Sequence, residues 1–587
     1  MNDRSSAYLA AGTFVCTLLL MIMLSATGMY WGESSLLTAR AWQLGASHPP
    51  GYAGFLHLLH AFQKTLPLGD ILYRSNLTSI IALAVASGLM TLLFLKIDVP
   101  PIIAVPESIG FAVSLPVLNA SATAEVYSLN LMMVLLVILQ LIPSSGSIHH
   151  AGRAAFLTGI ALTHHLTFVF ILPGLGWFFF RKYGRFLRLR TGVTLLPILF
   201  LLGLSTLLFY PVRESVTPGI VWGDPSGVEG FLTLISAGEE ATGSLISGIM
   251  NPGGITRRGR QLGHLVAGTL SIPGLVLVIP GAVALWQRHR RMTVCLVSGL
   301  ICITCAVIIY DSNESASFFL PGLLFLWLLS VAGLTYLIMR LLQLPYAVAR
   351  WTAGTLKWIP AAVLVFLLIP RAVGVAPMDS CFPGYFARIK SDILPSDTLR
   401  VCRRSDICFQ NWYLNVVERR SAQETVFQHL LSFRWYLEDL THNDLLDSTI
   451  LNYPIEDSRS WNAVATAALI VKNLDCRPVV IMDPEIHDDL LISRVEIPAM
   501  TCLPWGALIH SETMETCHFN AVLNDVEPMN LLTQELQHLD PVTTQILIAD
   551  YIRQSHFYAR CGDVRRREAY LRIAQNLQQH GQDRGWW

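Results

Sequence analysis

Residues 31–52 read WGESSLLTARAWQLGASHPPGY, and this stretch decides how the rest of the chain is understood. It follows directly on an apolar run over residues 8–29, so it lies at a membrane surface and not inside the bilayer. It carries one acid, Glu33, then a helix-like run with Arg40, and closes on His48-Pro49-Pro50-Gly51-Tyr52. The prolines fix the backbone and Gly51 permits a sharp turn. A carboxylate and a histidine held at the mouth of a helical bundle suit acid–base chemistry. The same residues also suit an amphipathic connecting loop.

Only 14% of the 587 residues are charged and 53% are hydrophobic. Soluble domains run nearer about 25% charged, so the deficit points to a membrane protein. Lys+Arg and Asp+Glu are equal at 41 each, and no nucleic-acid partner is implied. The run 8–29 exceeds the about 7–15 residues of a signal-peptide core and reads as an anchor. Further runs of spanning length lie near 76–96, 101–118, 128–143, 192–211, 264–286, 292–310, 317–339 and 355–374. Residues 154–180 hold two more if these are short or broken around Thr163-His164-His165, giving about eleven spans.

Orientation follows from the basic residues. Lys96, Arg153, the cluster from Arg181 to Arg190, the cluster Arg288-Arg290-Arg291, Arg340 and Arg350 fall on alternate connections. All share one face if the N-terminus is cytoplasmic. The opposite face then receives 30–75, 119–127, 212–263, 311–316 and everything beyond about 375.

Those outer turns hold the polar residues of interest. Glu125, Tyr127 and Asn130 stand at the mouth of a span, where an acid is costly unless it faces water or a partner. His164 and His165 interrupt an apolar segment, as cavity-facing or helix-bonding histidines do. The loop 212–263 carries Trp222-Gly223-Asp224 and a cluster of Arg257, Arg258 and Arg260. Arginines beside a bilayer suit a phosphate head group. Asp311 and Glu314 lie in the last outer turn.

Beyond Pro377 the composition becomes that of a soluble domain, with strands at Asp397–Val401 and Arg477–Met482 and a helical region at 410–446. Residues 530–580 read as a helical hairpin in the style of one tetratricopeptide unit. Seven of the eleven cysteines lie here. An oxidising compartment permits disulfides, with Cys402–Cys408 and Cys502–Cys517 the local candidates. None of these seven stands in the CxxC spacing of a zinc site. The expected fold is an α-helical polytopic membrane bundle over 1–375 with a soluble α/β-plus-helical, extracytoplasmic domain over 376–587.

Together these fragments resemble the GT-C glycosyltransferases, most closely the transmembrane protein O-mannosyltransferases and their bacterial relatives. That family opens with Asp-Ser-Gly-Glu leading to His-Pro-Pro-Gly-Tyr, matched in full here by His48 to Tyr52. Glu33 falls at its aspartate and Ser34 at its serine, while Ser35 and Leu36 replace its glycine and glutamate. Its Glu-Val-Tyr-x-Leu-Asn matches Glu125 to Asn130, and its His-Leu-Thr matches His165 to Thr167. Its Trp-Gly-Asp with a following Gly-Phe matches Trp222 to Asp224 and Gly230-Phe231. Leu234 and Ala237 stand where the family has His and Arg. The turn Asp311 to Pro321 is similar to its Asp-rich turn before a Phe-x-Pro span.

The resemblance implies a polyprenyl-phosphate monosaccharide donor entering from the bilayer, and a protein or envelope-glycan acceptor at the outer (periplasmic or lumenal) face. Glu33 would be the general base with His48 beside it, and the sugar carbon would invert. Donor or acceptor contacts would come from Arg40, Glu125, Tyr127, Asn130, His165, Trp222, Asp224, Arg257, Arg258 and Asp311. No metal or further cofactor is implied. A second reading is a catalytically degenerate scaffold of the same fold, acting through its outer domain.

Overall fold

The structure is a computed structural model. It describes residues 3–364 apart from 144–145, 217–221 and 313, most of 384–490, the strands at 500–503 and 506–509, and 541–584 apart from 561–563. The chain divides into two compact units. The first comprises residues 1–25, 44–69 and 74–375, and the second 26–43, 70–73 and 376–587. The stretch 31–52 is therefore shared, its helix Ser34–Gln43 going with the second unit and its His48-Pro49-Pro50-Gly51 turn with the first.

The first unit is helical. Five helices among the described residues are long and apolar enough to cross a membrane: Asp3–Leu24, Ile71–Lys96, Arg190–Glu214, Pro252–Ile309 and Leu320–Gln343. Shorter helices, among them Tyr127–Leu141, Ile148–Leu162 and Thr167–Tyr183, occupy other runs expected to span. The last two are separated at Thr163 to Leu166, and the run 101–118 divides into Pro101–Ala112 and Leu115–Asn119. Of the run 355–374, residues beyond 364 lie outside the described part.

The 58 residues of Pro252–Ile309 would measure about 87 Å as one rod, nearly three hydrocarbon thicknesses. Ser271 (φ 60°, ψ 169°) and His289 (φ −132°, ψ 51°) leave helical geometry, so the element is three rods, 252–270, 272–288 and 290–309. Pro273 cannot donate to the carbonyl of Thr269, which weakens the ladder beside the first break. The break at His289 falls between the expected spans 264–286 and 292–310.

Small residues let these rods approach. A Cβ on Gly281 would sit 1.8 Å from the Leu329 carbonyl oxygen, and one on Gly333 would sit 2.0 Å from that of Leu277. Gly159 and Gly203 make the same reciprocal contact between Ile148–Leu162 and Arg190–Leu204, at 2.2 Å from Phe200 O and 2.3 Å from Phe156 O. Without a hydrophobic driving force between helices in lipid, such backbone approach supplies the packing.

The second unit holds a five-stranded mixed sheet of order β2-β1-β3-β5-β4, with β1 Leu399–Cys402, β2 Glu424–Phe427, β3 Val479–Ile481, β4 Met500–Leu503 and β5 Gly506–Ile509. β1 pairs parallel with β2 and β3, while β5 is antiparallel to β3 and β4. The region 410–446, expected as helix, is interrupted by β2. Thr425-Val426-Phe427 is β-branched and aromatic, and its register against Arg400 to Cys402 outweighs the flanking helical pattern. Cys402 is disulfide-bonded to Cys408, tying the end of β1 to helix Ser405–Tyr413. Cys381, Cys517 and Cys561 lie outside the described residues.

Residues 26–43 belong to this unit through packing. Met29, Ala39 and Leu72 form one core with Ala387, Tyr413 and Leu414. The Trp31 indole donates to Thr543 Oγ1 at 3.1 Å, and Tyr30 and Trp31 pack with Ile546 of helix Pro541–Arg560. That helix is antiparallel neighbour to Val564–Asp583, with Tyr551 and Tyr570 rings 5.5 Å apart.

Candidate active site

The site in the first unit is built on the turn from His48 to Tyr52. Gly51 N–H donates to the His48 carbonyl at 2.8 Å, and Gly51 sits at φ +86°. The Pro49–Pro50 peptide is cis. The buried Tyr210 hydroxyl donates to the Gly51 carbonyl, and a Cβ on Gly51 would meet the Tyr210 ring at 2.9 Å. Glycine is thus required by both conformation and space. Beneath the turn, Ala46, Ala53, Tyr210 and Leu234 form a small core. Leu234, one of the departures from the family pattern, therefore packs as an apolar floor with only 2% of its surface exposed.

From this turn a chain of rings runs through the unit. His48 lies 5.9 Å from Trp222 and 5.2 Å from Tyr52, centroid to centroid. Tyr52 stacks on His165 at 5.9 Å with planes 20° apart. His165 in turn lies 5.5 Å from Tyr127 and 5.8 Å from Phe318. Five separate segments meet here, and no local periodicity announces their meeting.

The His165 imidazole is held in one tautomer. Its Nδ1 accepts from the Thr167 backbone N–H at 3.2 Å and lies 2.7 Å from Thr167 Oγ1. Asn130 Nδ2 donates to that same Oγ1 at 2.9 Å. Nδ1 therefore carries a lone pair and Nε2 the proton, with Asn130 fixing the relay from behind. His164 faces elsewhere, its Nε2 donating to the Val126 carbonyl at 2.7 Å. The turn bearing Glu125 is clamped by helix Ile71–Lys96. Ser79 Oγ donates to the Glu125 carbonyl at 2.8 Å and accepts its N–H at 3.0 Å, while Asn76 accepts the Ala124 N–H at 2.8 Å.

The Tyr127 hydroxyl donates to Glu314, joining the ring cluster to the turn that bears Asp311. Asp311 is ion-paired with Arg258 at 2.5 Å, and the Arg258 side chain is only 2% exposed. Arg258 Nε also donates to the Ile308 carbonyl at 2.8 Å. A cavity of about 460 Å³ opens beside this pair, lined by Arg257, Arg258, Gln261, Asp311, Ser312 and Ser315. Arg257 reaches it from an exposed position, so of the two arginines it is Arg257 that can meet an anion without breaking an ion pair.

The remaining residues singled out by sequence fall as follows. Asp224 makes its own turn, accepting from Ser226 N–H at 3.1 Å and Ser226 Oγ at 2.5 Å, two residues beyond Trp222. Glu33 and Arg40 belong to the second unit. Glu33 is half-buried and its carbonyl starts the helix, accepting from Leu37 N–H at 2.9 Å. Arg40 stacks on the Trp412 ring at 5.3 Å, and burial lowers its pKa to about 10 despite the nearby Tyr436 and Asp439. Tyr52, Tyr210, Glu314 and Phe318 were not among the candidates. Tyr52 closes the quoted motif and Glu314 is an acid in an outer turn, so those two carried a signal, whereas Tyr210 and Phe318 read as span residues.

The fold has a solved counterpart. A solved structure of ArnT from Cupriavidus metallidurans bound to undecaprenyl phosphate superposes with a TM-score of 0.50 at 12% identity, covering 84% of this chain and 96% of that one. The chain shares the fold of that structure, and its apolar helices of spanning length are those of a membrane protein. In sequence, residues 33–187 match the profile described as the Protein O-mannosyl-transferase TMEM260 N-terminal domain. Protein O-mannosyl-transferase TMEM260 of Mus musculus is 25% identical over 431 residues, 70% of this chain. The chain spans about three fifths (61%) of that relative's length. The resemblance to the transmembrane protein O-mannosyltransferases holds, and the matched span includes the His48–Tyr52 turn, Glu125, Tyr127 and His165.

Proposed function

We propose that the protein is a membrane glycosyltransferase that moves a sugar from a polyprenyl-phosphate donor to a protein or envelope-glycan hydroxyl at the outer face, with a cytoplasmic N-terminus. The observation that carries this reading is the convergence of His48, Tyr52, Tyr127, His165 and Trp222 on one cluster, in a fold shared with ArnT, whose structure holds undecaprenyl phosphate. The named activity of the murine relative makes mannose the first sugar to test.

In this reading the acceptor oxygen attacks the anomeric carbon as the bond from that carbon to the phosphate oxygen breaks. Polyprenyl phosphate leaves, the configuration inverts, and Glu33 takes the hydroxyl proton. One carboxylate suffices, because a phosphate leaving group needs no proton. Arg257 faces the departing phosphate, whose charge a positioned cation stabilises. His165, with its proton on Nε2, donates to a substrate oxygen and carries no net charge. The test is transfer by the purified chain in lipid nanodiscs, given polyprenyl-phosphate mannose and glucose with peptide and glycan acceptors. A product released with inverted configuration supports the proposal. Absence of any product across the donor set overturns it in favour of the scaffold reading.

A further inference from the structure

A second charged cavity lies at the other end of the same helices. Helix Ile71–Lys96 contributes Ser79 to the Glu125 turn and ends at Lys96, 17 residues or about 25 Å further on. Helix Leu320–Gln343 begins beside Phe318 and reaches Arg340 after about 30 Å. That is the thickness of a bilayer's hydrocarbon core. There a cavity of about 290 Å³ is lined by Arg288, Arg340, Tyr336, Gln287, Gln343 and Asp98, against apolar walls.

Its charge is positive. Arg340 Nε donates to the Tyr336 hydroxyl at 2.9 Å and its guanidinium sits 5.1 Å from that ring, yet it has no carboxylate partner among the described residues. Arg288 approaches Asp98 at 3.8 Å with side chains 62% and 70% exposed, a weak surface pair. Lys96, Arg290 and Arg291 flank the opening in sequence. The Arg290 guanidinium lies 4.5 Å from the Trp286 ring, an aromatic–cation pair suited to a membrane interface. The break at His289 turns the chain back into the bilayer at this level.

Beside the cavity, and sharing Gln287 with it, runs an almost wholly apolar groove of about 480 Å³ lined by Val283, Trp286, Val294, Val297 and Ile301. A soluble phosphate has no use for such a groove, whereas an acyl chain does. We infer that this cavity and groove form a binding site for an anionic phospholipid, its phosphate between Arg288 and Arg340 and an acyl chain along the groove. Basic pockets between spans on the cytoplasmic side are suited to such head groups. The site is separate from the one that holds His48 and His165 and does not depend on the proposed transfer reaction.

The test is native mass spectrometry of the full chain released from micelles containing equal phosphatidylglycerol and phosphatidylcholine. Phosphatidylglycerol should be retained preferentially. Each surface arginine contributes about fivefold, so R288Q/R340Q should lower its retention about 25-fold. D98N removes the opposing charge and should raise retention, which keeps the proposal testable if the double variant folds poorly. Equal retention of both lipids overturns the inference, as does a D98N variant that binds no more lipid. Displacement by millimolar inorganic phosphate alone would also overturn it, assigning the site to free phosphate.

Discussion

The Tyr210 hydroxyl donates to the carbonyl of Gly51, two residues 159 positions apart in sequence. This bond fixes the height of the turn that presents His48 and Tyr52 to Trp222 and His165. Its partners are not interchangeable. Gly51 occupies a left-handed backbone region, and the Tyr210 ring fills the space a side chain would need.

Tyr210→Phe leaves a buried carbonyl without this donor and should cost about 1–3 kcal/mol. Gly51→Ala adds strain of about 1–3 kcal/mol and a steric contact that the Phe variant does not relieve. Thermal melting in micelles checks both. A Gly51→Ala protein as stable as the native chain would show that the turn is not held as described.

The ion pair of buried Arg258 with partly exposed Asp311 gives a second expectation. Asp311→Asn strands a guanidinium that is 2% exposed, and breaking a buried pair from one side costs about 3–5 kcal/mol. Removing both charges with Arg258→Met and Asp311→Leu should recover most of that loss. A double-mutant cycle measures it, and additive losses in the double variant would mean that the two groups are not coupled.

What the sequence disclosed and what it hid divide along physical lines. Apolar runs made the helical unit legible, because hydrophobicity is a local signal. The break at His164-His165 was legible for the same reason, and so was the local pairing of Cys402 with Cys408. The motifs supplied His48, Tyr127, His165 and Trp222 as candidates, but only the tertiary fold brings these residues within ring contact. Tyr210 and Phe318 sit in ordinary apolar segments, so nothing local separates them from lipid-facing residues. The division of 31–52 between two units was equally hidden. Ala39 packs with Tyr413 and Leu414, and Trp31 with Ile546, and no periodicity within the stretch reveals that.

In the second unit, burial holds the Asp483 carboxyl above its ordinary 3.8, although it accepts the backbone N–H of Arg403 at 2.5 Å and of Arg404 at 3.0 Å. A raised folded pKa favours the protonated form. Its stabilising contribution is therefore full below 3.8 and is lost as pH rises through the folded value. Asp483→Asn keeps an acceptor for both N–H groups and does not titrate. The melting temperature of the native chain relative to this variant should fall as pH rises above about 4. A difference that stays flat or rises with pH would contradict a carboxyl whose charged form burial disfavours.

The last expectation concerns the proposed base. Glu33 is the only acid between Trp31 and Tyr52, and Ser34, Ser35 and Leu36 beside it are fully buried. Leu36, where the family carries a glutamate, is thus committed to packing and leaves Glu33 as the carboxylate of this stretch. Glu33→Gln keeps size and hydrogen bonding but accepts no proton. Because general-base assistance is worth roughly 100- to 10,000-fold, transfer should fall by that range while donor binding persists. Glu33→Asp shortens the side chain by one methylene. A displacement near 1 Å can cost about 100-fold, so Asp should lose more than a few-fold if the local geometry is built around Glu. Single-turnover transfer and donor affinity, measured on the same three proteins, separate these effects. Undiminished transfer by the Gln variant would remove Glu33 from the mechanism and move the search for a base to Glu125 and Asp224.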